Sequence, residues 1–328
     1  MISSEIAITA IYLSNEYQFG VDQYLVDVFL RLEECRNYES HDFKVLPVIC
    51  SGEFASVHAA YWKNTQSKFA IKKFDKISTE KEIINEINLM KMVDFHPNII
   101  KFCGIIKDET NYSLVLEYAD SGTLGKYLME NATTIKWESQ LKFAKEIASG
   151  VLCLHDNEII HRDLHPNNIL VHQHTIKITD FGRSCLQGSA CDTKAYGVIP
   201  YMDPQILDPE IPYNLTKKSD IYSLGVLFWQ LTSCSSPFNF ETRKDYIAIT
   251  LAILNGVREK SIPNTNVKFI ELYQKCWKNE PDERPEINQV ISELNDVNPE
   301  INFNFQVNEL TEELKNEDGF SDCDLSNY

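Results

Sequence analysis

No stretch of this 328-residue sequence stays apolar long enough to cross a bilayer. The longest apolar segment, residues 221–231, is broken by Ser223, Gly225 and Gln230, far short of the roughly eighteen residues a span takes. The amino terminus lacks a basic flank and a sustained apolar core before a small-residue cleavage site, so no secretory signal is expected. Basic residues are the scarce charge: 31 Lys and Arg stand against 48 Asp and Glu, a formal charge of −17. That balance argues against nucleic acid as a partner, because its phosphates are neutralised by clustered Lys and Arg. The nine cysteines are odd in number and contain no Cys-x-x-Cys pair. Free thiols in a reducing compartment follow, and with them a cytoplasmic protein, the nucleus not being excluded.

The ends differ from the centre. Residues 1–41 carry seven acids against two bases and residues 297–328 carry eight against one. In the first segment Val21, Tyr24, Leu25, Val28, Phe29 and Leu32 recur at helical spacing, with Asp22, Asp27, Arg31 and Glu33 on the other side. This predicts a helical extension over 1–41 that packs on its neighbour or serves as a docking or dimerisation helix. Disorder is expected for the acidic tail, 297–328.

Between them, a domain over 42–296 divides in two. Strands are predicted over 43–49, 56–62, 68–74 and 112–117, with one helix over 79–93. From Thr123 onward helices dominate, over 137–155, 219–233, 244–255 and 267–279. The fold class is α+β, with a strand-rich lobe, a helix-rich lobe and a cleft between them.

Four segments carry chemistry suited to phosphoryl transfer, which asks a protein for positioning and charge neutralisation. Cys50-Ser51-Gly52-Glu53-Phe54-Ala55-Ser56-Val57 lies between two strands, where a turn could lay N–H groups over phosphates. Alone it reads as an ordinary hairpin, having one of three expected glycines. Ala70-Ile71-Lys72 places an ammonium on a strand, and Glu86 on the following helix supplies a counter-ion; each, alone, would pass for a surface residue. The strongest signal is Ile159-Ile160-His161-Arg162-Asp163-Leu164-His165-Pro166-Asn167-Asn168-Ile169-Leu170, followed by Thr179-Asp180-Phe181-Gly182.

These last two segments resemble the catalytic loop and metal-binding triplet of eukaryotic protein kinases. The resemblance spans 43 to about 295. It is of the tyrosine-kinase-like, serine/threonine type, similar to families expanded in some fungi. It implies a bilobal protein kinase-like fold, in which a small antiparallel sheet with one main helix faces a larger helical lobe. It also implies ATP and Mg²⁺ as cofactors and a protein substrate. Asp163 would orient the substrate hydroxyl and accept its proton, Asn168 and Asp180 would hold Mg²⁺, and Lys72 with Glu86 would grip the phosphates. Cys50, Ser51, Gly52 and Val57 would cover the nucleotide, Ala70 and Leu170 would sandwich the purine, and Glu117 and Ala119 would face adenine behind Leu116. Asp220 would anchor the catalytic loop, and Met90, Phe102, Phe181 and His161 would stack between the lobes.

Four departures from the pattern remove something physical. Cys50 and Ala55 replace glycines, and His165 replaces a lysine. Val198 replaces the threonine that bridges that lysine and the catalytic aspartate. Asp203-Pro204-Gln205 replaces Ala-Pro-Glu, so the expected ion pair with Arg284 becomes at best a hydrogen bond from a neutral amide. Arg162 is expected to be a buried cation awaiting an anion, with Ser189 or Thr193 as the phosphorylation site that supplies it. Cys185 and Cys191 are expected to be free thiols. Two readings remain: an active serine/threonine kinase, or a pseudokinase acting as a nucleotide- or protein-binding scaffold.

Overall fold

The computed structural model describes residues 35–52, 54–75, 78–108, 111–189, 197–208, 215–243 and 245–299. The amphipathic segment at 21–32, most of the acidic tail, Thr193 and Cys191 lie outside them.

The first lobe is one six-stranded sheet. In chain order its strands are β1 (Asn37–Tyr38), β2 (Phe43–Ser51), β3 (Ala55–Trp62), β4 (Lys68–Phe74), β5 (Phe102–Asp108) and β6 (Asn111–Glu117). They lie in the order β1-β5-β6-β4-β3-β2; the β1–β5 pair is parallel and the rest are antiparallel. β5 was not foreseen, since Phe102-Cys103-Gly104 and its polar end show no clean alternation. Helix α1 (Glu80–Val93) packs on this sheet. Its start is dictated locally: Thr79 Oγ1 accepts from the Glu82 N–H while the Glu82 carboxylate accepts from the Thr79 N–H, a reciprocal cap. Ile83, Ile87 and Met90 recur on one buried face, and Glu86 sits among them.

The second lobe carries α2 (Leu124–Asn131), α3 (Trp137–Asp156), β7 (Ile159–Ile160), β8 (Ile169–His172), β9 (Thr175–Ile178) and β10 (Cys185–Leu186). The short α4 (Pro204–Leu207) follows, then α5 (Lys217–Ser233), α6 (Tyr246–Leu254), α7 (Val267–Cys276) and α8 (Ile287–Asn295). Buried Leu141, Ile147 and Val151 of α3, Tyr222 and Phe228 of α5, and Phe269 and Tyr273 of α7 make one core. Met90, Phe102 and Phe181 share a second apolar cluster that joins the lobes, and the His161 ring lies 5.5 Å from that of Phe181.

Two stretches tie the sheet lobe to the β8–β9 hairpin. Ile100 N–H donates to Ile178 O and Ile178 N–H to Asn98 O, both at 2.8 Å; Ser121 N–H donates to Val171 O and Val171 N–H to Gly122 O. Among the described residues no helix is long and apolar enough to cross a membrane.

Three expectations need correction. Arg284 is not left to a neutral amide: its side chain is fully buried against that of Asp203, with Nη1 at 2.6 Å from Oδ2 and Nη2 at 2.8 Å from Oδ1. Its other donors reach the carbonyls of Lys278, Lys218 and Asn279, so all five N–H groups are used. Gln205 instead turns its amide towards Asn279 O. Arg162 is half-buried rather than buried, with φ of +72° and Nη1 donating to Arg183 O. Cys185 is disulfide-bonded, whereas Cys50, Cys103, Cys153, Cys234 and Cys276 are free thiols.

Candidate active site

β4 lies between β3 and β6, pairing Lys72 with Val57 on one side and Leu114 on the other. From that strand Lys72 Nζ reaches Glu86 Oε1 at 2.6 Å and Asp180 Oδ1 at 2.8 Å. Burial alone would push the ammonium down, but the two carboxylates outweigh it and hold Lys72 protonated, above its ordinary range. Asp180 shows the converse: burial pushes its carboxyl up, yet Lys72 and the Gly182 N–H bring it down to about 2. The arrangement packs closely on the residue after Phe181. A Cβ on Gly182 would sit 3.3 Å from Asp180 Oδ1 and 3.4 Å from Glu86 Oε2.

The β8–β9 hairpin explains how two motifs that stand eight residues apart come to one place. Ile169 pairs with Ile178, so Asn168 just before the hairpin and Asp180 just after it are brought to one end, joined by Thr179 N–H to Asn168 O. The Asn168 amide nitrogen donates to Asp163 O at 2.9 Å and to Asp163 Oδ2 at 3.2 Å, which leaves its oxygen for another partner. Asp180 adopts φ of +68°, a strained conformation of the kind held in place at functional sites.

The loop carrying Asp163 hangs from one carboxylate. Asp220, in the first turn of α5 and fully buried, accepts from the N–H groups of His161 and Arg162, both at 2.9 Å, and meets His155 Nε2 at 3.0 Å. Burial pushes the Asp220 carboxyl up; the His155 contact, the nearby His161 ring and the His161 N–H bring it below its ordinary value. His165 stands at the other side of the loop, its Nε2 3.5 Å from Asp163 Oδ1 and its Nδ1 accepting from Asn167 N–H.

The other predicted site residues fall around the same cleft. Cys50 and Ser51 pair with Val57 and Ser56 at the β2–β3 hairpin, closed by Gly52 N–H donating to Ala55 O at 2.9 Å. Val57, Ala70, Leu170 and Ala119 are half-buried, and Leu116 is buried beside them. Glu117 differs in detail: its N–H donates to Lys101 O and its carboxylate pairs with Lys177 at 2.9 Å. Ser189 is exposed, with its hydroxyl donating to Leu186 O.

Sequence reasoning missed two residues that the fold brings to Asp163. Arg183 Nε lies 3.6 Å from Asp163 Oδ2. Gly197 has φ of +127°, and a Cβ there would lie 2.9 Å from Asp163 Oδ1. No spacing rule links either residue to position 163.

The donor set suits a hard cation. Among the described residues no three His, Cys, Asp or Glu could hold a metal by themselves. One carboxylate and one amide oxygen fit Mg²⁺, which takes few protein ligands and fills its shell with water and phosphate oxygens.

Known proteins resemble this sequence. The family model described as "Protein kinase domain" matches residues 43–294. The chain is 32% identical over 254 residues to the serine/threonine-protein kinase CTR1 of Arabidopsis thaliana, covering 74% of this chain and 30% of that one. It is 28% identical over 262 residues to STY17, a serine/threonine-protein kinase of the same plant, covering 79% and 45%. It is 31% identical over 219 residues to the plant's serine/threonine/tyrosine-protein kinase HT1, covering 66% and 54%. The chain thus spans about half or less of these relatives. With a matched region well over half of its length, and a buried lysine held between two carboxylates beside the loop that carries Asp163, this chain belongs to the protein kinase domain family.

Proposed function

We propose that this protein transfers the γ-phosphoryl group of ATP to a serine or threonine hydroxyl of a protein substrate. The observation that carries the proposal is Lys72 Nζ, 2.6 Å from Glu86 and 2.8 Å from Asp180, a protonated amine with its position fixed on the cleft side of β4. An ammonium so held offers its charge to phosphate oxygens without further reorganisation. The oxygens of Asn168 and Asp180 would hold Mg²⁺, which would neutralise charge on the β- and γ-phosphates. Asp163, steadied by the loop that Asp220 suspends, accepts a hydrogen bond from Asn168 at Oδ2, with His165 Nε2 3.5 Å from Oδ1 and Arg183 Nε 3.6 Å from Oδ2. It orients the substrate hydroxyl and takes its proton as the new O–P bond forms.

Cys50 to Val57 cover the nucleotide from the β2–β3 turn, Ala70 and Leu170 enclose the purine, and backbone groups at Glu117 and Ala119 face its edge. Serine/threonine specificity is supported by Pro200-Tyr201-Met202 and by the names of CTR1 and STY17. The domain is assigned to 42–296 and the protein to the cytoplasm, with activation-segment phosphorylation at Ser189 or Thr193.

The test is incubation with Mg-ATP and a basic protein substrate, with phosphosites mapped by mass spectrometry beside Asp163→Asn. Phosphoserine or phosphothreonine that disappears in the variant is the expected outcome. Phosphotyrosine would overturn the specificity, and equal transfer by the variant would overturn the mechanism.

A further inference from the structure

The cleft has a charge deficit that its own motif does not fill. Lys72 is committed to Glu86 and Asp180, and the residue two places after Asp163 is His165, whose Nδ1 accepts from Asn167 N–H. An incoming nucleotide adds negative charge beside Asp163 and Asp180. A second cation nevertheless stands there. Arg183 places Nε 3.6 Å from Asp163 Oδ2, and its guanidinium carbon lies 5.7 Å from the ring centre of Phe54, at the tip of the β2–β3 turn. The guanidinium therefore lies between the loop that carries the proposed base and the turn proposed to cover the phosphates.

Its backbone is pinned on both sides. Gly182 N–H donates to Asp180, Arg183 O accepts from Arg162, Ser184 Oγ donates to His161 O, and Ser184 O accepts from Asn85. The side chain thus starts from a fixed point only three residues past the Asp180 carboxylate. A guanidinium is a planar fork of five donors, able to serve a carboxylate and a phosphate at once.

We propose that Arg183 is a catalytic residue of this protein, supplying to the transferring phosphoryl group the positive charge that His165 does not. This rests on the kinase reading above. The Nε contact with Asp163 keeps the guanidinium beside the site of transfer before nucleotide binds. It then stabilises the charge spread over the equatorial phosphoryl oxygens, and no bond to Arg183 forms or breaks.

The test uses the full chain and four variants: Arg183→Ala, Arg183→Lys, His165→Lys, and Arg183→Ala combined with His165→Lys. Transfer is measured as kcat and KM for ATP. Binding of Mg-ADP and of Mg with the non-hydrolysable β,γ-imido triphosphate is measured by calorimetry, which reads the γ-position without turnover. Arg183→Ala is expected to lower kcat about 100-fold, the scale of losing one preorganised donor, and to lower the triphosphate-over-diphosphate affinity ratio about tenfold, a loss of one charge-assisted contact. Arg183→Lys should keep both within about tenfold of the parent, and a lysine at 165 should restore most of what Arg183→Ala loses. A purely structural arginine would not be rescued by a cation on another loop.

Unchanged kcat and affinity ratio in Arg183→Ala would overturn the proposal while leaving the kinase reading intact. A rise in activity would overturn it too, making Arg183 a plug, and so would loss that neither lysine recovers. If the parent itself binds neither nucleotide and transfers nothing, the kinase reading fails first and the proposal with it.

Discussion

Gly197 shows how tightly the proposed base is enclosed. Its Cβ-less backbone passes 2.9 Å, at the would-be Cβ, from Asp163 Oδ1 in a conformation that L side chains rarely adopt. Gly197→Ala should therefore displace the carboxylate and lower kcat by about 100-fold, the cost of misplacing a reacting group by roughly 1 Å, with the fold retained by circular dichroism. Asp163, Asn168 and Asp180 were legible because the two short motifs that carry them resemble those of protein kinases. Gly197 and Arg183 were not, because their relation to Asp163 arises where the chain turns back on itself. Asp203 was misread for a similar reason. The rule that position 205 carries the acid hid a carboxylate two residues earlier, which both caps α4 through Gln205 N–H and faces Arg284. Asp203→Ala should cost about 3–5 kcal/mol in chemical denaturation by leaving a buried guanidinium unpaired. Gln205→Glu should change stability by no more than about 1 kcal/mol, like an ordinary half-exposed substitution, because the five donors of Arg284 already have partners.

At the scale of elements, α1 was the most readable, since its cap and its apolar face are both written locally. Thr79 and Glu82 set its first turn, and Ile83, Ile87 and Met90 set its orientation, so Glu86 is carried to Lys72 without a special device. Thr79→Ala should cost about 1 kcal/mol. Because that cap fixes the end of the helix that presents Glu86, it should also raise KM for ATP, which nucleotide titration of the variant checks. β5, α2 and α8 were not foreseen. In the third residue of β5, Gly104 adopts φ of +151° and packs against Arg36 and Tyr38, so the strand's place depends on β1, a partner distant in sequence. The β8–β9 hairpin was also missed, its strands being only four residues each. It is what makes two separate motifs one site.

For the whole molecule, the acid limit of stability is set where burial and pairing have moved carboxylates. Asp220 titrates below its ordinary value in the folded protein and Asp180 at about 2. A lowered folded-state value means that the unfolded chain binds protons first. The stabilisation is then complete above about pH 4, the unfolded carboxylate value, and is lost as pH falls through the folded value. Urea denaturation from pH 7 to pH 3 should show the gap between the parent and Asp220→Asn narrowing on acidification; a constant gap would sink this account.

The two backbone ties at Asn98–Ile100 and Ser121–Gly122 both end on the hairpin that carries Asn168 and Asp180. They act as a double fulcrum. β5 and β6 adjoin it, β4 comes next, and β3 and β2 stand farthest out, so a small rotation of the sheet is geared by distance. The turn at Gly52 stands on the long arm of that lever, and Lys72 on the short one, nearer the hairpin that carries Asp180.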